Sequence, residues 1–201
     1  MSITYTIGIS ENYREQTITL FDEAFGTKLS IAIPSQSKRR ELLYHYASLQ
    51  YAIGAFDGDE LLGIAGFHSP NGSFLTDSKI TLRGLIGHLG FWGGLRAGVV
   101  LSLFERNPKE GELLLDAICV NAKTRGMGVG SGLLQKIQHY AKNQNYQSIR
   151  LDVVDTNPRA KALYQKMGFE VESSESFAYL KEYLGFGGVE MMIYNIPMEN
   201  Q

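Results

Sequence analysis

Leu115-Asp116-Ala117-Ile118-Cys119-Val120-Asn121-Ala122-Lys123-Thr124-Arg125-Gly126-Met127-Gly128-Val129-Gly130-Ser131-Gly132-Leu133-Leu134 is the stretch of this 201-residue chain whose reading decides the fold. It opens as an apolar strand, turns through glycines and closes as the start of a helix. Glycine lets backbone approach a ligand without side-chain obstruction. The first turn of a helix offers unpaired N–H groups at the positive end of its dipole, so the two together make an anion site, most often for phosphate. Spacing narrows the ligand. A P-loop needs Lys followed by Ser or Thr after its last glycine, and here Ser131-Gly132 follows Gly130. A G-x-G-x-x-G dinucleotide fingerprint fails from Gly126 and from Gly128, because its last position falls on Ser131 and on Leu133. A tight turn with purely structural glycines stays open on this stretch alone.

A second block lies downstream. Ser148 to Val154 reads as a strand, Asn157 as an N-cap with Pro158 at the first helical position, and Ala160, Leu163, Tyr164 and Met167 as the buried stripe of a short helix that Gly168 ends. Between the blocks, Leu133, Leu134, Ile137 and Ala141 form one face of a helix. Further strands are expected near Phe169 to Glu172 and Val189 to Ile196.

Arg125-Gly126-Met127-Gly128-Val129-Gly130 resembles the acyl-coenzyme A pyrophosphate loop of the GNAT superfamily of N-acetyltransferases, whose pattern is Q/R-x-x-G-x-G/A. The run from Leu151 through Asn157 and Leu163-Tyr164 to Gly168-Phe169 resembles that superfamily's later block, in the expected order. The resemblance implies an α/β fold: a mixed, twisted sheet flanked by helices, whose central strands splay into a V-shaped cleft. Across that cleft it implies backbone amides of Gly126, Gly128, Val129, Gly130 and Ser131 on the pyrophosphate of acetyl-CoA, with Arg125 alongside. Ile118 and Val120 would pair their backbone with the pantetheine arm, Asn157 would reach the cofactor from the far side, and Tyr164 would face the sulfur.

The chemistry adds its own demands. An amine attacks a thioester only when neutral, and a lysine-like amine has a pKa of about 10.4, so the site must remove a proton. Asp116 is the chosen base, with Glu112 or a held water as alternatives, although strand alternation and a possible bulge leave its facing open. A strand N–H would meet the carbonyl oxygen's developing charge, and Tyr164 would supply a proton to the thiolate. Cys119 reads as a small buried residue, since no cation or His shares its motif.

Upstream, Thr4 to Ile9 alternates as a strand, Tyr13 to Phe25 reads as a helix stopped by Gly26, and Ser37 to Leu49 as a second helix. Tyr51 to Phe56 and Leu61 to Phe67 flank Asp57-Gly58-Asp59-Glu60 as a hairpin. Residues 69–112 form an insertion between the third and fourth strands. Within it, Thr81 to Phe104 is apolar, carries charge only at Arg83 and Arg96, and spaces Gly90, Gly94 and Gly98 four apart. A glycine-broken helix packed within the fold, a dimer or substrate-side element, and a membrane contact are all open. A bilayer span is not expected, because the longest charge-free run, Gly84 to Leu95, falls well short of about 20 residues.

Composition bounds the rest. A hydrophobic share of 44% and a charged share of 20% fit a single globular domain over residues 1–201. A formal net charge of −2 disfavours nucleic-acid binding. One cysteine excludes an intramolecular disulfide, the N-terminus lacks a signal-peptide pattern, and the four histidines lack metal-ligand spacing, so a cytoplasmic chain without metal is expected. The acceptor side is expected from Gly26 to Arg40, Ser69 to Glu112 and Phe177 to Gly188. Glu170, Glu172, Glu175 and Glu182 make the C-terminal stretch acidic, which weakly favours a cationic amine and is equally explained by a solvated surface. The expected function is acetyl transfer from acetyl-CoA to a primary amine of a small molecule or protein. The alternative is a non-catalytic acyl-CoA-binding or sensing module of the same fold, with a homodimer possible in either case.

Overall fold

The computed structural model describes residues 2–75, 81–102, 106–178 and 181–197. Residues 103 and 104 of the apolar run, part of the loop before it, and residues 179–180 of the expected acceptor side lie outside these. The chain orders as β1 (Thr4–Ile7), α1 (Arg14–Leu29), α2 (Gln36–Tyr46), β2 (Ala52–Asp57), β3 (Glu60–Ser69), β4 (Gly72–Ser73), α3 (Leu82–Leu89), α4 (Phe91–Ser102), β5 (Glu112–Val120), α5 (Val129–Asn143), β6 (Ser148–Val154), α6 (Pro158–Lys166), β7 (Glu170–Ser176), α7 (Lys181–Leu184) and β8 (Gly188–Asn195). One mixed sheet runs β1-β2-β3-β5-β6-β8-β7, with β4 paired beside β3. Among the described residues only β5 and β6 pair in parallel, joined by a crossover through the helix α5.

Two features of β5 make the cleft. Its pairing with β6 runs from Glu112↔Ser148 to Leu115↔Leu151 and stops, although β5 continues to Val120 and β6 to Val154. On its other edge Phe67 pairs with Leu115 and Gly66 with Ala117, so Asp116 is the extra residue of a β-bulge. The bulge swaps the faces. Leu113 and Leu115 before it, and Ile118 and Val120 after it, pack on the α5 side, with Leu133, Leu134, Ile137 and Ala141 of α5 fully buried there. Ala117 and Cys119 pack on the α1 side with Ile18, Leu20 and Phe21.

Two expectations need correction. Gly26 does not stop α1, which runs on to Leu29. A Cβ at Gly26 would lie 2.9 Å from Asp22 Oδ1 and 3.1 Å from an Arg39 guanidinium nitrogen, so glycine there makes room for the buried Arg39–Asp22 ion pair. The second helix ends at Tyr46, and Leu49–Tyr51 form a separate 3-10 turn entering β2. Of the four glutamates, Glu170, Glu172 and Glu175 lie on β7, an edge strand exposed along its whole length, and Glu182 lies on α7.

The apolar insertion is a helical hairpin broken at Gly90, whose φ of +77° suits glycine. Gly94 and Gly98 line the contact between its arms, since a Cβ at Gly94 would lie 2.5 Å from the Ile86 nitrogen and one at Gly98 3.1 Å from Leu82 Cδ1. Leu85, Ala97 and Val100 then share a third core with Ala32, Ile33 and Leu42.

Candidate active site

The glycine loop sits at the C-terminal end of β5. Gly126 and Gly128 take φ of +87° and +84°, and Gly128 is the N-cap of the 15-residue α5 with no side-chain cap bond. Nothing lies within 4 Å of a Cβ placed on Gly128, so the backbone there is open to an incoming group. Val129, Gly130 and Ser131 occupy the first turn, whose N–H groups have no earlier helical carbonyl to bond. A Cβ at Gly130 would lie 3.2 Å from Leu163 Cδ2 and 3.7 Å from Val120 Cγ2, so this glycine lets α6, the loop and β5 close together. Arg125 is exposed and its Nε reaches back 3.5 Å to the Val120 carbonyl.

Register places the strand residues. Asn121 N–H donates to the Leu62 carbonyl at 2.8 Å, and Ile118 and Val120 stand opposite Ala65 and Gly63 on β3. Antiparallel alternation therefore turns the N–H and C=O groups of Ile118 and Val120 away from β3, toward the side where β6 has parted. Asn157 caps α6 through its side-chain oxygen, which accepts from Ala160 N–H at 3.2 Å, leaving its amide nitrogen for another partner.

Tyr164 is 6% exposed in the main core, with its ring 6.1 Å from that of Phe169. Burial, then the neighbouring Cys119, pushes its phenol above the ordinary range, so it stays protonated at any neutral pH. Its hydroxyl makes no hydrogen bond among the described residues. Burial likewise pushes the Cys119 thiol up to about 12, which removes it as a thiolate nucleophile at neutral pH.

Asp116 and Asp152 are the first residues past the last β5–β6 pair, one on each strand. Both line a cavity of about 310 Å³ on the α1 side. Asp116 lines this cavity and is exposed to solvent there, although many protein atoms crowd its carboxyl. Desolvation, then the Asp152 charge, raises its pKa to about 7. Asp152 has cationic company in Arg106 at 3.5 Å and Arg150 at 3.4 Å. Phe21, Phe25, Leu101 and Phe186 contribute to largely apolar walls, with Lys28 among them. Residues from all three segments expected on the acceptor side meet here. The alternative base Glu112 does not: it is buried at the N-terminal end of β5, accepting from Lys109 N–H at 3.2 Å and lying 3.8 Å from Arg150. It belongs to a different groove, shared with Glu170 and Glu172.

Residues 14–169 match the family described as the Acetyltransferase (GNAT) family. The chain belongs to that family. Among its curated relatives, the rat protein "N-acetyltransferase family 8 member 2" is 28% identical over 126 residues, covering 60% of this chain and 55% of that protein. Rat "N-acetyltransferase 8" is 30% identical over 129 residues, covering 61% and 56%. The match thus spans little more than half the length of these relatives. A solved GCN5-related N-acetyltransferase from Kribbella flavida superposes with a TM-score of 0.63 at 18% identity, covering 96% of this chain and 97% of its own. A Bacillus subtilis acetyltransferase in complex with CoA gives 0.57 at 17% identity, covering 98% and 100%. At these identities the structural likeness shows the fold.

Three side chains of this GNAT chain stand at the cleft without having been singled out from the sequence. Asp152 carried a signal, because alternation in Ser148–Val154 buries Ile149, Leu151 and Val153 and turns Asp152 to the opposite face. Lys28 and Arg159 carried none. Lys28 reaches the cavity because α1 continues past Gly26, and Arg159 lies with a guanidinium nitrogen 3.9 Å from the Cβ position of Gly126.

Proposed function

We propose that this chain transfers an acetyl group from acetyl-CoA to a primary amine in the cleft where β5 and β6 part. The observation that carries the reading is Asp116, a carboxyl titrating near neutrality, aimed by a bulge into an apolar-walled cavity at the point of splay. A base poised near the working pH is what amine activation needs. The cradle fits acetyl-CoA: open glycine backbone and first-turn amides for the pyrophosphate, Arg125 and Arg159 for its charge, and the free edge of Ile118 and Val120 for the pantetheine arm.

Bound there, acetyl-CoA supplies the thioester carbon that the amine attacks. Asp116 accepts the proton that the amine gives up. The Ile118 N–H, facing the splay, stands to stabilise negative charge on the carbonyl oxygen. Tyr164, held protonated, donates its hydrogen bond toward the departing sulfur. The cavity's walls favour an acceptor with an apolar body, whose amine would meet Asp116. The names of the relatives agree with an amine acceptor, as does that of the bovine "Thialysine N-epsilon-acetyltransferase", 36% identical over 56 residues that cover 28% of this chain and 33% of that protein.

The test is release of free CoA thiol from acetyl-CoA against a panel of primary amines. Amine-dependent release, lowered about 10²–10⁴-fold by Asp116→Asn, is expected. Acetyl-CoA binding with no release for any amine would favour the sensing module instead.

A further inference from the structure

The helix α4 carries apolar residues on its outward face as well as on its packed one. Taking 100° per residue, Phe91, Leu95, Val99, Trp92 and Arg96 fall within one arc of about 140°, while Gly94, Ala97 and the buried Val100 lie outside it and Gly98 borders it. The packed side holds Gly94, Ala97 and Val100, all buried, and Gly98 touches Leu82. The large apolar side faces outward, with Phe91 60%, Trp92 78%, Leu95 39% and Val99 59% exposed, and Leu82 of α3 49% exposed. Phe91 and Trp92 stack edge to face, 5.3 Å apart, at the tip where Gly90 turns the hairpin. Single exposed apolar residues are ordinary, but a contiguous set on one helix face marks a contact surface.

Charge identifies the partner. Residues 81–102 hold Arg83 and Arg96 and no Asp or Glu. Both arginines are exposed, and Arg96 also donates to the Ile31 carbonyl. A symmetric contact between two copies would bring these cations together with no acidic partner from the same hairpin. An anionic bilayer surface suits both the apolar face and the cations, since it takes Trp, Phe and Leu to the headgroup level and pairs arginine with phosphate. Spanning is a separate matter: no helix among the described residues is long and apolar enough to cross a membrane.

We propose that the α3–α4 hairpin docks this protein on the surface of an anionic lipid bilayer, with Phe91 and Trp92 inserted and Arg83 and Arg96 against the headgroups. Trp92 is the chain's only tryptophan, so its fluorescence reads the tip directly. The experiment titrates the full chain with vesicles of phosphatidylcholine alone and of equimolar phosphatidylcholine and phosphatidylserine, following emission and co-sedimentation. Anionic vesicles should shift Trp92 emission to the blue and sediment the protein, and brominated acyl chains should quench it. Arg83→Gln should weaken binding about fivefold. Phe91→Ser should weaken it at least about tenfold, with circular dichroism and melting unchanged because the side chain is exposed. Unshifted emission and no sedimentation with anionic vesicles would overturn the proposal. A concentration-dependent dimer in light scattering that shields Trp92 without lipid would overturn it in favour of a second copy.

Discussion

Replacing Asp116 by Asn should trade activity for stability, in a way that depends on pH. The folded protein holds this carboxyl up to about 7, by desolvation and then by the charge of Asp152. The unfolded chain releases its proton near the ordinary carboxylate value of about 3.9. A raised carboxyl contributes stability that is fully present below about pH 4 and is lost as pH rises through about 7. For a fully enclosed group the interval is worth roughly 4 kcal/mol, and because Asp116 opens onto the cavity, solvent screening reduces this to about 1–2 kcal/mol. Asparagine keeps the shape and carries no charge. At about pH 8 the variant should therefore melt about 2–8 °C above the wild type, for a chain of this size, and the difference should vanish near pH 4. Over the same range wild-type kcat/KM should climb through about pH 7, while the variant stays about 10²–10⁴-fold lower at the top. Urea unfolding and thiol-release kinetics at matched pH values measure both. A variant less stable at pH 8, or a stability difference that ignores pH, would refute the reasoning.

Tyr164→Phe should lower turnover while leaving the melting shift with acetyl-CoA intact, and unchanged turnover would remove the phenol from the mechanism. Gly128→Glu should abolish that ligand-induced shift by placing a charged side chain in the open cradle at a φ of +84°, and a retained shift would contradict the pyrophosphate assignment. Gly94→Leu should cost at least about 1–3 kcal/mol, because its Cβ meets the Ile86 backbone at 2.5 Å. Urea unfolding with an unchanged midpoint would show that the hairpin arms do not pack this closely.

The elements that sequence reading located are those with local punctuation. Ser148–Val154 and the Asn157-Pro158 start of α6 agree with their expected bounds, since an N-cap, a proline and a period of two need no distant partner to be read. The glycine turn and α5 follow the same logic. Tertiary contacts decided the rest. Gly26 looks like a stop until the Arg39–Asp22 pair is seen to need its missing side chain. The bulge at Asp116 is silent in Leu113-Leu114-Leu115-Asp116-Ala117, because apolar residues face both sides of a central strand and no alternation marks the slip. The partnership of Asp116 with Asp152 depends on the β5–β6 register, which no local pattern supplies. The apolar run of α4 leaves packed, dimer and membrane readings open in the sequence, because apolar composition alone does not say which side packs.

Thermal unfolding with and without acetyl-CoA tests the central claim most directly. At 100 times its dissociation constant a ligand adds about 2.7 kcal/mol, which for a chain of this length is a rise of about 5–11 °C. A rise of that order, absent with adenosine or NAD at the same concentration, is the predicted result. No rise in a protein that melts cooperatively would contradict it, leaving the glycine loop a structural turn and the acetyl-transfer reading without its donor.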